Sequence, residues 1–325
     1  MRSKRRRVVL IAAWLLVPAA LALAPTLARR DDIVNFAFIT LLFIALAQSW
    51  NILGGYAGQV NLGHAAFFGA GALITRWLWI EGVNILLAML VGAAVAVMFS
   101  LVIGVPAFRL RGAYFAIGTL VLAEILRITI GNLLPEISTL PTATIGRYRL
   151  ADRYYLALSL AVVATLIVAL LGSSRAGLGM RAIREDEDAA EASGVQALRL
   201  KLLALMLSTA IAGLAGGLFA YYHISYYPQH PFAPNWTFDA LLITYIGGVG
   251  TLLGPILGAV FYTLLKEYLA LHWVDFHLLM FGVLFMAIVL ALPGGLVDLA
   301  ERVRNRMGRQ RTSAVTRSPG SAART

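Results

Sequence analysis

Few side chains in this 325-residue sequence could do chemistry, and their setting limits what that chemistry is. Gln48, Asn51, Gln59, Asn61 and His64 gather about a glycine-rich stretch, GGYAGQVNLGHAAFFGAG (Gly54–Gly71), between apolar runs. Glu124 and Arg127 stand three residues apart, the spacing that lets an acid and a base pair on one helix face. A third group is denser. The segment GSSRAGLGMRAIREDEDAAEASGVQALRLK (Gly172–Lys201) carries Arg175, Arg181, Arg184, Glu185, Asp186, Glu187, Asp188, Glu191, Arg199 and Lys201. Amides, an imidazole and an ion pair inside apolar sequence either bind helices together or line a wet passage, because a polar group in hydrocarbon is costly unless it faces protein or water.

Other chemistries find no residues. A phosphate-binding loop needs a lysine directly after glycine, and Lys4, Lys201 and Lys266 do not follow one. Without cysteine there is no thiolate nucleophile, disulfide or Cys-ligated metal. His223 and His230 share a loop, as do His272, Asp275 and His277, but neither set has zinc-site spacing, so no metal or other cofactor is expected. No Gly-x-Ser-x-Gly nucleophile motif occurs, and Ser208, inside an apolar run, is expected to bond a backbone carbonyl. The sequence is not that of an enzyme.

The elements that must hold these groups are membrane spans. Sixty per cent of residues are hydrophobic, only 13% are charged and mean hydropathy is +0.79. Apolar runs of about twenty residues recur, which is the length that crosses a bilayer as a helix. The fold class is therefore all-α and polytopic, with about ten spans. They read as Val8–Ala28, Ile33–Leu53, a third opened by the glycine-rich stretch and ending near Trp79, Asn84–Phe108, Gly112–Ile130, Tyr154–Leu171, Leu202–Tyr222, Phe238–Val249, Leu252–Leu269 and Phe276–Leu292. The first is read as a retained span, although RSKRRR followed by an apolar run also opens signal peptides. Residues 1–7 form a basic tail, 8–292 the transmembrane domain with the charged island 172–201 inside it, and 293–325 a basic tail expected to be disordered.

Ten crossings put both tails on one side. That side, with the island and the Arg109/Arg111 loop, holds 19 of the 27 lysines and arginines, and the opposite side holds 8. The tails and island are therefore expected in the cytoplasm. The net charge of +11 is topology and not a nucleic-acid footprint. The eighth span is short and ends at Gly247-Gly248-Val249-Gly250, so glycine interrupts one segment in each half of the chain. Such pairs point to broken helices at a passage between repeats, and an internal repeat is one reading of GYAGQVNLGHAAFFGAGAL beside IGGVGTLLGPILGAVFYTLL.

Within the island, Met180–Ala192 lacks proline and glycine and is rich in Ala, Glu and Arg, which predicts one helix between Gly179 and Ser193-Gly194. Composition alone favours a solvated connector. A face of small alanines beside dense charge also suits a helix that docks in another protein's groove.

Four stretches carry a resemblance: NILGGYAGQVNLGHAAFFGAGA, LRGAYFAIGTLVLAEILR, GMRAIREDEDAAEASGVQALRLKLLALMLSTAIAGLAGGLFA and GGVGTLLGPILGAVF. In this order they resemble the LivM-type permease subunits of branched-chain amino-acid ABC importers. The resemblance implies a second, LivH-like permease, two cytoplasmic ATPases and a periplasmic binding protein as partners, in a bacterial inner membrane. It also implies that the island is the segment coupled to the ATPases, through Arg181, Arg184, Glu185, Asp186, Glu187, Asp188, Glu191, Ala192 and Gly194. Gln59, Asn61, His64 and Glu124 are the expected translocation-pathway residues. One stretch departs from the family. Such permeases usually carry Thr-Gly-Gly between spans five and six, whereas this chain reads LPEISTLPTATIGRYRL (Leu134–Leu150). That loop is expected to meet binding protein or substrate, and related permeases carry urea or other amides.

Overall fold

The computed structural model describes residues 18–27, 30–139, 146, 148–272, 282–283, 286, 290 and 294–299. The expected first and tenth spans lie largely outside the described residues, as do both tails and much of the Leu134–Leu150 loop.

Ten helices organise the described chain: α1 (Asp31–Trp50), α2 (His64–Ile80), α3 (Ile85–Ala107), α4 (Ala113–Leu133), α5 (Leu150–Ser173), α6 (Arg175–Glu185), α7 (Glu187–Ala192), α8 (Ala197–Tyr222), α9 (Asn235–Gly247) and α10 (Gly254–His272). One helical turn, Ala24–Leu27, precedes them. Among the described residues five helices are long and apolar enough to cross a membrane: α1 with its continuation to Tyr56, α3, α4, α5 and α8. The all-α membrane architecture thus stands, with one addition. Ser138–Thr139 (β1) pairs antiparallel with Ser225–Tyr226 (β2).

Two helices form the axis of the bundle. From Leu41 to Trp50 every residue of α1 is buried, and α8 is buried along most of its length from Ser208 to Ala220. The second is held close by its small residues. A Cβ on Gly213 would lie 2.9 Å from the Cα of Ala93 on α3, and one on Gly71 of α2 would overlap the Gly213 carbonyl. Small residues at these crossings allow backbones in apolar surroundings to gain contact that side chains would prevent. In contrast, α4 packs sparsely and leaves Tyr114, Ile117, Val121, Ile125 and Ile128 exposed.

Helix α9 has 13 residues. At 1.5 Å per residue it is about 20 Å long, short of a hydrocarbon core of ~30 Å. The eighth segment is therefore a half-helix, paired with α10 as a tight hairpin in which a Cβ on Gly247 would overlap the Gly254 carbonyl.

At the end of the bundle remote from the island, two buried arginines close the C-terminus of α8. Arg76 donates to Ser138 Oγ (3.1 Å) and O (2.7 Å) and to the carbonyls of Ala220 (3.3 Å), His223 (2.8 Å) and Ile224 (2.7 Å). All five of its N–H groups are engaged. Arg153 donates to the Tyr221 carbonyl (3.2 Å) and lies between the rings of Tyr148 and Tyr221. Both are cations at a helix C-terminus, where orphan carbonyls and the helix dipole favour positive charge. Beside Arg76 a cleft of about 660 Å³ opens between α2 and α4. Its walls include Trp77, Leu133 and the Leu134–Ser138 strap, part of the loop that departs from the family pattern.

Candidate functional site

The first glycine-rich stretch does not simply open a span. Helix α1 continues as a wider π-helical turn over Asn51–Tyr56, the chain turns back through residues 57–63, and α2 starts at His64. Widened turns of this kind are frequent at functional sites. The start of α2 lies inside the bundle. The amide of Leu62 donates to Thr119 Oγ1 of α4 (3.1 Å) and that of Ala65 to Thr237 Oγ1 of α9 (2.8 Å). Thus the N-termini of α2 and α9 meet within the protein, and two threonine hydroxyls satisfy amides that no helix turn reaches. Composition marks neither threonine, because a lone hydroxyl in an apolar run bonds its own helix as readily.

The second break is sewn to the first by the buried amides. Asn51 Nδ2 donates to the Thr251 carbonyl (2.9 Å), and Asn51 Oδ1 accepts from the Gly250 amide (2.8 Å). Gln48 Nε2 donates to the Leu252 carbonyl (2.9 Å), and Thr244 Oγ1 to that of Ala47 (3.2 Å). The two interrupted segments, parallel to the eye in sequence, are in direct contact.

Of the four residues expected along a pathway, two belong to one buried network. Asn61 and His64 are each 1% exposed. The Asn61 carbonyl accepts from Trp50 Nε1 (2.9 Å), and Asn61 Oδ1 from the Gly63 amide (2.8 Å). His64 Nε2 lies 2.7 Å from Ser49 Oγ. Ser49 Oγ donates to the Leu46 carbonyl (2.7 Å), so Nε2 carries the imidazole proton, and the buried Nδ1 has no hydrogen-bond partner among the described residues. Ser208 Oγ donates to the Ser49 carbonyl (2.7 Å), the kind of bond expected of it. Gln59 is half-buried on the returning loop; its side chain donates to the nearby Ala57 carbonyl (3.3 Å) and its amide to that of Leu53 (3.0 Å). Glu124 is elsewhere, on the open face of α4. It accepts from Arg127 Nη2 (2.5 Å) and Nε (2.9 Å), and over a third of each side chain is exposed. The two loop histidines flank Phe219, with ring centroids 4.1 Å and 5.8 Å from it.

The island corrects the expectation of one helix over Met180–Ala192. Asp186 adopts extended backbone (φ −157°, ψ 113°) and splits the run into α6 and α7. Helix propensity favoured continuity, but the Asp186 carboxylate caps α7 by accepting from the Ala189 amide (3.0 Å). Gly179 lies within α6 rather than before it, because a Cβ there would reach Leu200 of α8 at 2.5 Å. The C-terminal signal was legible. Gly194 (φ +88°) sits in the left-handed region, its amide bonds the Glu191 carbonyl (2.9 Å) and that of Val195 bonds Ala190 (3.0 Å). These two bonds make a Schellman end.

The charges have separate tasks. Ile183, Ala190 and Ala197 form a small core beneath the elbow, with Val195 and Leu200 against it. Glu187 pairs with Lys201 of α8 at 2.5 Å, and that lysine is 2% exposed. Asp188 pairs with Arg111 ahead of α4 at 3.1 Å. Arg181 Nη2 donates to the Gly172 carbonyl (2.8 Å) and Arg184 Nη1 to that of Gly55 (2.6 Å). Glu185, Glu191 and Ala192 stay exposed, and so does Leu178, at 65%. Periodicity alone did not single out that leucine. The elbow is thus tied to α4, α8 and the first glycine break at once, while its outer face presents apolar and acidic groups.

Comparison with known proteins shows the family. Residues 32–289 match the family model described as branched-chain amino acid transport system / permease component. The high-affinity branched-chain amino acid transport system permease protein LivM of Escherichia coli K12 is 29% identical over 303 residues, covering 82% of this chain and 70% of that protein. The protein of the same name from Salmonella typhimurium matches to the same extent. A probable branched-chain amino acid transport permease protein LivM of Methanocaldococcus jannaschii is 27% identical over 239 residues, covering 66% of this chain and 67% of its own. No solved structure matches the chain.

Proposed function

The chain belongs to the branched-chain amino acid transport permease family, and from that premise we propose that it is one of two permease subunits of an ABC importer for branched-chain or related amino acids. It works with a LivH-like partner, two cytoplasmic ATPases and a periplasmic binding protein, in the inner membrane of a bacterium. The observation that carries this reading is the α6–α7 elbow, a charged and separately cored element bonded to the ends of α4 and α8 and to the first glycine break. A solvated connector needs none of those bonds. An element that receives force from an ATPase needs all of them.

Ten crossings with cytoplasmic tails and island are part of the proposal, the eighth made by the half-helix α9 together with the chain leading into it, and the 19-to-8 asymmetry of lysine and arginine supports it. The pathway runs along the open face of α4. Glu124 and Arg127 lie midway along that helix among exposed apolar side chains. A charge at the bilayer centre costs about 2.5–3.5 kcal/mol on the mildest scale, so this face is matched to a protein or a wet passage rather than lipid. Asn61, His64 and the Gln59 loop stand behind it and fix the start of α2.

The test is uptake by the reconstituted importer, with both permeases, both ATPases and the binding protein. ATP-dependent accumulation of labelled leucine that requires binding protein, and that excess isoleucine and valine suppress, supports the reading. Uptake suppressed only by urea or amides would move the substrate to that class, as the altered loop at the cleft allows. Accumulation driven by an ion gradient without ATPases would overturn the ABC assignment.

A further inference from the structure

Two glycines from different halves of the chain converge on one side chain. Gly58 (φ +70°) follows the first break and Gly250 (φ +76°) lies in the second. A Cβ on Gly58 would lie 2.9 Å from the Cα and Cγ of Arg184, and one on Gly250 would overlap Arg184 Nη1. The same Nη1 donates to the Gly55 carbonyl (2.6 Å), in the last turn of the π-helical segment. There a cation meets both an orphan carbonyl and the negative end of the helix dipole. The other ties described between the breaks, through Asn51, Gln48 and Thr244, do not involve the island. Arg184 is thus the island side chain that touches both breaks.

We propose that Arg184 is a positioning residue that passes movement of the island to the two glycine breaks, and not a docking residue for the ATPase. This rests on the importer reading above. Helix α6 is the lever: its Ser174 cap (Oγ accepting from the Gly177 amide, 3.0 Å) joins it directly to α5, and Gly179 presses it onto Leu200 of α8. A tilt of α6 shifts the guanidinium along the Gly55 carbonyl, and the breaks, already joined through Asn51, follow as one body. Both glycines are needed because a side chain at either position would push the arginine off.

The experiment uses the complete reconstituted importer with wild-type, Arg184→Ala, Arg184→Lys, Gly250→Ala and Gly250→Ala/Arg184→Ala chains. Assembly, ATP hydrolysis stimulated by loaded binding protein, and leucine uptake are read for each. Arg184→Ala is expected to assemble and keep stimulated hydrolysis within about twofold while uptake falls about tenfold or more, as loss of a charge-assisted hydrogen bond allows. Arg184→Lys, which keeps a donor, should recover part of the uptake at unchanged assembly. Gly250→Ala should mimic Arg184→Ala, and the double variant should be no worse than the worse single one. Hydrolysis and uptake falling in proportion in Arg184→Ala, or full additivity in the double variant, would overturn the inference. If Arg184→Ala fails to assemble, Arg184→Lys and Gly250→Ala decide it: uptake lost with hydrolysis kept in Gly250→Ala supports the inference, and hydrolysis and uptake falling in proportion in both overturns it. Failure of the wild-type complex to take up leucine would instead count against the importer reading.

Discussion

Two arginines at one end of the bundle and two at the other are held in opposite ways. Remote from the island, Arg76 and Arg153 are each 2% exposed, and their hydrogen bonds go to carbonyls and a serine hydroxyl. At the island end Arg111 and Arg184 are exposed, and each is held at one point. A guanidinium saturated inside protein cannot shift without stranding several acceptors, whereas a singly held one moves at little cost. The first end is built as a fixed closure of α8 and the second as an articulated one. In the proposed importer, force enters at the articulated end and leaves the fixed end undistorted.

Substitutions can break this contrast, beginning with the largest effect. Arg76→Met leaves the carbonyls of Ser138, His223 and Ile224 without their donor. Buried unsatisfied groups cost about 1–3 kcal/mol each, so this variant should fail to accumulate as folded protein by fluorescence-detected size exclusion. Gly213→Leu comes next. It forces α8 from α2 and α3 at a close crossing, and overpacking of about 1–3 kcal/mol or more should lower the melting midpoint of detergent-solubilised protein. Glu187→Ala should be milder, because it strands a buried Lys201 at a site close to water. The expected result is reduced stability with assembly kept, and Lys201→Met in the same chain should relieve it. Gly194→Ala places a side chain at φ +88°, costing about 1 kcal/mol, while Gly194→Trp adds bulk on the outer face and should uncouple ATP hydrolysis from uptake. Glu191→Ala and Arg111→Ala should be the smallest, within about 1 kcal/mol by thermal melt, since exposed ion pairs and unpaired surface charges contribute little. Arg111→Ala as damaging as Arg76→Met would erase the contrast between the ends.

Much of this could be read from the sequence, for identifiable reasons. Apolar runs, glycine interruptions and the charged island are composition, and composition survives without knowledge of contacts. The break at Asp186 was not singled out, because the acidic run Glu185–Asp188 offers two aspartates able to cap and only the local bond to Ala189 shows which one does. Counting arginines gave a sidedness but no roles. Arg76, Arg127 and Arg153 all counted as minority-side charges, yet one saturates a helix end, one pairs with Glu124 and one stacks between tyrosines. Asn61 and His64 were recognisable as costly polar groups, but only the fold shows that their partners are Trp50, Gly63 and Ser49. The meeting of Gly55, Gly58 and Gly250 at Arg184 joins residues up to 195 positions apart, beyond the reach of periodicity.

Docking of an ATPase on the island's outer face, as proposed above, is open to direct test. The chain has no cysteine of its own, so single cysteines can be placed without background. Leu178→Cys and Glu191→Cys on the elbow, and Trp77→Cys at the remote end, would each be treated with a short thiol-to-amine cross-linker in the assembled complex. The account predicts permease–ATPase cross-links from the first two that change with nucleotide and block uptake, and none from Trp77→Cys. Cross-linking from Trp77→Cys, or from neither elbow position in a complex that transports, would contradict it.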